Sequence, residues 1–399
     1  MGKRTFLIVD FNAGNVITHH LNYVITYGLF LRAQGYTPKL VLPKYTPIKE
    51  LRDLNFSVER VLISRFYRLS KKYVFFNSIY KRLLKFMGEI GIRFNLTIDA
   101  YRDKRNLHKS FRDLEKIIMR ERNCEIIFPS VDLYTLEFIE ILMKADKNTK
   151  KLYIRINSVE PIEKKLKGIS GIRLLAELSK NYSEKIVIGC ETTKIVRILE
   201  NEMKTGTSIN FVPLPSINQI KKSTENMIFG FIGGAKKRKG FCEIPNIIKK
   251  INIVSPNAIF LVQQSPFNWE GYTETIISLK KIRNVELLPG VLSNQAFFEA
   301  LSKCDFIVMP YHRDSYLTGG SSIFYYASDF LIPVITTLRL PFSDEIQMFD
   351  CGVLFESEHD LEEIDFEISK QEKFRKNLIK YNEYRNNLNI KFFNLFNII

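Results

Sequence analysis

The segment 285–337 constrains the fold of this chain more than any other stretch. Two short runs in it, 305–309 and 333–335, are rich in Val and Ile and bounded by turn or helix signals. Short runs that are apolar on both faces read as buried parallel strands. Between them a polar loop, 311–318, leads into Gly319-Gly320-Ser321-Ser322 and a helix that runs to about Phe330. The first N–H groups of a helix lack backbone partners, and the helix dipole adds attraction for negative charge, so a phosphate fits there. The same four residues also read as a plain turn followed by a serine N-cap. Locally both readings stand.

The rest of the chain repeats this alternation of strand and helix, which predicts parallel, doubly wound sheets. A length of 399 residues exceeds a single usual core, so two domains are expected. In the first half, strands are predicted at 4–10, 40–42, 61–64, 125–128, 152–156, 185–188 and 210–212. Helices are predicted at 16–34, 106–122, 133–145 and 192–203. In the second half, strands fall at 227–232, 258–263, 285–288, 305–309, 333–336 and 352–355, with helices at 241–251, 294–302 and 321–330. Pro213-Leu214-Pro215-Ser216 and the polar run after it read as an exposed linker. The predicted division is therefore 1–213, 214–369 and a closing helix in 370–399 that crosses back to the first domain.

Charge singles out an insertion at about 64–122. It holds sixteen Lys and Arg against six Asp and Glu, which is +10 of the chain's net +16, interleaved with aromatic residues. A helix drawn over 71–87 places Phe75, Ile79, Leu83 and Phe86 on one side, flanked by Lys72, Lys81, Arg82 and Lys85. That arrangement suits either an anionic membrane surface, met through 64–94, or packing on the helix's own domain with a solvated basic rim. No apolar run reaches the roughly 18 residues that span a bilayer. The N-terminal apolar stretch runs into Asp10 and Asn12, as a first strand does and a secretory leader does not. The five cysteines are isolated, and the five histidines show no metal-binding spacing. Reduced thiols, no metal and a cytoplasmic location, peripheral to the inner face of the plasma membrane, are expected.

Two loops carry the chemistry. The first, Gly233-Gly234-Ala235-Lys236-Lys237-Arg238-Lys239-Gly240, follows a predicted strand and precedes a helix. Glycines admit a ligand to the backbone and four cations make the local field positive. Its spacing is not that of a Walker A loop, so it reads as a diphosphate clamp or as a solvated basic turn. The second is the Gly319–Ser322 turn, with Arg313, Asp314 and Thr318 before it. In the first half, Gly14 lies in the loop after strand one, without the dinucleotide-binding GxGxxG pattern. His19, His20, Asp132 and Glu160 each follow a predicted strand, where ligands of open parallel sheets bind. His19 and Asp132 are the candidates on that side.

These motifs resemble those of the large retaining family of GT-B glycosyltransferases. Gly233 followed by Lys239-Gly240 matches that family's first donor-site element, and 285–290 with Ser293 its second. Cys304 to Pro310 is similar to its "Ala-Asp" strand, and Leu331-Ile332-Pro333-Val334 to the end of its acidic segment. The likeness covers about 227–353 well and the first half in general layout only. Gly234 stands where that family carries a clamp arginine, with Lys236, Lys237 or Arg238 as substitutes. Its paired glutamates fall on Thr318 and Tyr326.

The resemblance implies a GT-B, α/β fold of two Rossmann-like domains facing a cleft. It implies metal-independent transfer, with retention, of a sugar from a nucleoside-diphosphate sugar, with no further cofactor, to a glycan or lipid-linked acceptor of a cell-surface polysaccharide. Donor contacts are expected at Gly14, Gly233, Gly234, Lys236, Arg238, Lys239, Arg313, Asp314, Thr318, Gly319, Gly320, Ser321 and Ser322, with Lys239 stabilising the departing diphosphate. The missing glutamates leave an alternative, a GT-B-shaped partner subunit without catalysis. A basic nucleic-acid-binding protein fits less well, because no nucleic-acid motif accompanies the charge.

Overall fold

In the computed structural model the chain divides into two compact units, residues 1–190 with 196–210, and residues 191–195 with 211–399. The structure describes residues 4–13, 20–44, 46, 49–63, 105–121, 124–145, 149, 151–163, 165–166, 169–204, 206–219, 221, 226–364 and 368–394. The predicted basic helix over 71–87, Gly14 and His19 lie outside the described residues.

The first unit alternates β1 (Thr5–Val9), α1 (His20–Ala33), β2 (Thr37–Pro43), α2 (Lys49–Asp53) and β3 (Ser57–Leu62), then α3 (105–121) and β4 (Glu125–Phe128). It continues with α4 (Leu133–Ala145), β5 (Leu152–Ile156), α5 (Glu160–Glu163), a small antiparallel hairpin of β6 (Lys165–Leu166) and β7 (Ile169–Ser170), and α6 (Gly171–Asn181). The last elements are β8 (Ile186–Cys190), α7 (Thr193–Met203) and β9 (Ile209–Phe211). Seven strands form one sheet in the order β3-β2-β1-β4-β5-β8-β9. Phe6 to Val9 are wholly buried, as expected of a strand covered on both faces. The strand expected at 61–64 instead occupies Ser57–Leu62, where β2 offers a parallel partner. The strand order reverses between β1 and β4, so the loops after these strands open at a switch point.

The second unit begins with β10 (Ile228–Phe231), α8 (Ile244–Val254), β11 (Ile259–Gln263), α9 (Tyr272–Lys280), β12 (Val285–Leu288) and α10 (Asn294–Lys303). Then come β13 (Phe306–Met309), α11 (Ser322–Asp329), β14 (Val334–Thr337), α12 (Ser343–Phe349), β15 (Gly352–Phe355) and α13 (Ile368–Asn394). The sheet runs β12-β11-β10-β13-β14-β15, every neighbouring pair parallel. Its register is marked by three phenylalanines. Phe229 pairs with Phe260 on one side and Phe306 on the other, and its ring stacks on both at 5.5 Å between centroids. Aromatic pairs across strands in register favour one alignment over its slips. Here the switch point lies between β10 and β13, so the two loops singled out in the sequence leave the sheet side by side.

The expected exposed linker is not exposed. Val212 to Ser216 are buried beneath α13. Arg385, with no exposed surface, donates from Nε to the Leu214 carbonyl (2.7 Å) and from Nη2 to that of Pro215 (3.1 Å). Asn389 Nδ2 donates to the Pro213 carbonyl at 2.9 Å. Prolines have no N–H but keep an acceptor, and α13 supplies the donors those carbonyls need. Nη1 of Arg385 also meets Asp329 Oδ1 at 3.1 Å.

Beside this pair, Tyr381 donates its hydroxyl proton to Glu345 Oε2 in the interior. Burial pushes the Glu345 carboxyl up from 4.5 to about 8, against the pull of Tyr381 and Arg385. A carboxyl held protonated in the folded state contributes its full stability below pH 4.5, where both states are neutral. It loses that contribution as pH rises toward 8, because the unfolded chain ionises first. Thermal melts of the full chain should show stability falling across that window, and Glu345→Gln should flatten the slope. An unchanged slope in the variant would place its origin elsewhere.

Candidate functional site

The glycine-rich loop after β10 has a backbone that only glycine adopts readily. Gly233 has φ of 116° and Gly234 of 72°, both left-handed. Their N–H groups both donate to Gln263 Oε1, at 2.8 and 3.0 Å, and Gln263 Nε2 reaches the Gly290 carbonyl at 3.3 Å. The amide at the end of β11 therefore holds the loop open. The left-handed φ of Gly234 also explains why no arginine occupies this position. An L side chain there is strained, and the cations arrive from Lys236 to Lys239 instead.

Gly240 closes the loop. At φ of 70° it sits so close to the end of β13 that an added Cβ would lie 1.8 Å from the Pro310 carbonyl oxygen. A Cβ on Gly233 would lie 2.9 Å from Ile323 Cγ1, in the first turn of α11. The glycine loop is thus wedged against both the β13 exit and the α11 entry. The two loops converge, as the strand order requires.

Lys239 lies at the centre. Its Nζ donates to the Gly233 carbonyl at 2.7 Å and stands 5.3 Å from the centroid of the Tyr311 ring. Burial pushes this lysine down to about 8, with neighbouring Arg238 adding repulsion. Lys236 is lowered too, first by desolvation and then by Lys239 and Arg238. Arg238 faces the Tyr316 ring at 5.8 Å, and its carbonyl accepts from the His312 N–H at 3.1 Å. Lys236 and Lys239 line a shallow depression with Phe231, Gln263 and Tyr311. Clustered cations that repel one another and lose hydration are stabilised by an arriving anion.

Tyr311 bridges toward α11. Its hydroxyl is buried beside Ser321 and makes no hydrogen bond of good geometry, and burial pushes its pKa up to about 12. Ser321 and Ser322 are buried, while Thr318, Gly319 and Gly320 are half-buried. Ser321 stands at the N-cap position without a side-chain capping bond. Its hydroxyl contacts Met309 Sδ at 3.8 Å. Arg313 is engaged elsewhere, at 3.1 Å from Glu356 Oε1, and Asp314 is exposed. Asp305 works within the fold, accepting from the Ile228 N–H at 2.9 Å and from Lys221 at 2.8 Å. Tyr326 is buried with its ring against Phe297 and Phe298.

The first unit has its own polar cluster at the β1/β4 switch point. Nδ1 of His20 lies 3.2 Å from Oδ2 of buried Asp10, whose Oδ1 accepts from the Asn12 N–H at 2.7 Å. Asp132 Oδ1 accepts from the Thr135 N–H at 2.8 Å at the start of α4, and its Oδ2 faces Asn12 Nδ2 at 3.4 Å. Burial works against a charge on His20, but Asp10 and, more distantly, Asp132 raise its pKa above the ordinary value of 6.5. Asp10, Gln263 and Tyr311 were not singled out from the sequence. A polar residue ending an apolar strand is the signal that marks the first two. Among the described residues, no three His, Cys, Asp or Glu side chains come together to hold a metal ion. No helix among them is long and apolar enough to cross a membrane.

No protein-family model matches the chain, and none of the curated proteins matches it. Solved structures do. The HepE protein of Anabaena, in complex with UDP-glucose, aligns at a TM-score of 0.59 and 12% identity over 99% of this chain and all (100%) of its own. A glycosyltransferase of Rickettsia africae aligns at 0.62 and 11%, covering 100% and 98%. Sucrose-phosphate synthase of Thermosynechococcus elongatus aligns at 0.62 and 11%, covering 98% and 97%. The chain has the GT-B fold, with its two parallel-sheet Rossmann-like units.

The glycine geometry can be tested directly. Gly240→Ala should cost about 2 kcal/mol or more, because the added methyl meets a backbone carbonyl and the φ is strained. Gly234→Ala, with open space around the added atom, should cost only the left-handed strain of about 1–2 kcal/mol. Chemical denaturation of both variants measures the difference, and equal costs would remove the Pro310 contact as the reason for Gly240.

Proposed function

We propose that this chain is a glycosyltransferase that takes its sugar from a nucleoside-diphosphate sugar. The observation that carries this reading is the convergence, at the switch point of the second sheet, of Lys239, the Gly233-Gly234 turn and the first turn of α11. The structures of HepE with UDP and with UDP-glucose support a nucleotide-sugar donor. The departing diphosphate carries the charge that Lys239, Lys236 and Arg238 neutralise, so metal-independent transfer is part of the proposal. The proposed acceptor is a glycan or lipid-linked acceptor in the synthesis of a cell-surface polysaccharide. The positive net charge favours work beside an anionic membrane on the cytoplasmic side.

For the chemistry, the acceptor hydroxyl bonds to the anomeric carbon as the bond from that carbon to the diphosphate oxygen breaks. With retention, following the family resemblance, the hydroxyl proton passes to the departing phosphate oxygen. In the first unit, the Asp10–His20 pair is the candidate contact for the acceptor. A second reading, a GT-B partner protein without catalysis, is favoured by Thr318 and Tyr326 at the positions of the family's acids. Tight nucleotide binding with no transfer or hydrolysis across a panel of nucleotide sugars would establish it.

Lys239→Ala should weaken UDP binding by at least about tenfold, about 1.4 kcal/mol, measured by calorimetry on a folded variant. In the native chain, affinity for UDP-glucose should hold below pH 8 and fall above it, as the ammonium loses its proton. Lys239→Arg should carry binding to higher pH. An affinity indifferent to Lys239 in both tests would reject the site. His20→Ala should raise the acceptor KM while the product anomer, read by NMR, stays that of the donor. An inverted product from the native chain, with kcat lost in the variant, would make His20 the catalytic base instead.

A further inference from the structure

Gln263 is the last residue of β11, and its buried amide meets the glycine loop at the end of the neighbouring strand. Its Oε1 accepts from the N–H groups of both Gly233 and Gly234, at 2.8 and 3.0 Å. Two donors on one atom identify that atom as the oxygen. Its Nε2 donates to the Gly290 carbonyl at 3.3 Å, so the amide cannot turn over without losing these partners. Gly290 is itself wedged in place, since a Cβ there would lie 2.5 Å from the backbone carbonyl carbon of Ser265. The Gly234 N–H and the Gly233 carbonyl belong to one peptide unit, and in a planar trans unit the two point in opposite directions. With its N–H turned to Gln263, the unit turns its carbonyl the other way, where it accepts from Lys239 Nζ at 2.7 Å. One peptide unit is thus held between an amide oxygen and an ammonium. Hydrogen bonds in such a chain polarise one another, and each is stronger in a poorly solvated setting.

We propose that Gln263 is a positioning residue of the donor site, which sets the place of the Lys239 ammonium through the Gly233–Gly234 peptide unit. The inference rests on the reading that the Lys239 loop takes a nucleoside diphosphate. With the N–H groups of Gly233 and Gly234 given to Gln263, the loop meets a diphosphate with its side-chain cations and not with the amides of that turn. Lys236 and Arg238 are the charged neighbours of Lys239 on its own loop, and the Tyr311 ring faces it from the β13 exit. Neither cation offers the ammonium an acceptor, so the Gly233 carbonyl, and the amide that aims it, fix where the charge sits.

The test is a double-mutant cycle on UDP binding, by calorimetry on the full chain, with Gln263→Leu, Lys239→Ala and the two combined. Gln263→Leu removes the acceptor at similar volume and should weaken UDP binding about fivefold. In the Lys239→Ala background the same change should add nothing, because no ammonium is left to place. A pH profile separates this role from a general loosening of the fold. An ammonium without its carbonyl gives up its proton more readily, so the UDP affinity of Gln263→Leu should fall away at lower pH than that of the native chain. Gln263→Glu, which keeps an oxygen acceptor and adds negative charge, should move the profile the other way while binding UDP more weakly. If Gln263→Leu fails to fold, as judged by circular dichroism, Gln263→Asn, with its amide withdrawn by one methylene, enters the same cycle. Additive losses, an unmoved pH profile or unchanged UDP binding, with Lys239→Ala still losing UDP, would overturn the role of Gln263 and leave the donor site standing. If the native chain binds no UDP, or Lys239→Ala binds it as the native chain does, the donor-site reading and this inference fall together.

Discussion

Three phenylalanines side by side decide where the chemistry of the second unit can be. Phe229, Phe260 and Phe306 stack in register across the three central strands, and a slip of one residue would turn each ring to the other face. With that register fixed, β10 and β13 end together, and their loops leave the sheet as neighbours. The opposite face leaves no freedom either, since a Cβ on Gly230 would meet Cys304 Sγ at 2.5 Å. The contacts of Gly240 with Pro310 and of Gly233 with Ile323 follow from this alignment. The glycines do not create the site so much as allow two loops, already brought together, to approach within backbone distance.

The electrostatics of the two units differ in kind. In the second unit, cations crowd a small depression, and burial weakens the charge of the innermost one, Lys239. An anion that neutralises them regains the free energy spent on their repulsion and desolvation, so the arrangement favours binding negative charge over simple solvation. In the first unit, a histidine is held by one buried carboxylate and influenced by another. That is a site for holding or moving a proton, not for neutralising a phosphate. The two clusters therefore differ in chemistry, each at the reversal point of its own sheet.

Much of this could be read from the sequence, because the signals were local. Apolar runs of Val and Ile located the strands of both sheets within a residue or two, except β2 and β3, which begin three and four residues earlier than expected, and Lys239-Gly240 and Gly319-Gly320 marked the loops. The helix α6 has no counterpart among the expected elements, although its sequence is amphipathic and Ser170 caps it, accepting from the Arg173 N–H at 3.2 Å. The linker was misjudged for a different reason. Pro213 and Pro215 do signal an irregular segment, but whether it is exposed depends on donors 170 to 176 residues away, on α13. Tyr311 was missed for the same reason, since its role is set by what the fold places opposite it, and no local spacing encodes that.

Charge arithmetic beneath α11 ties these points together. Arg385 is the cation that anchors α13, and its guanidinium is shared among Asp329 and the carbonyls of Leu214 and Pro215. A further buried carboxyl group, that of Glu345, lies in the same interior. Arg385, already bonded to Asp329, does not neutralise both acids. Glu345 instead holds a proton near neutral pH, and the Tyr381 hydroxyl donates to its Oε2.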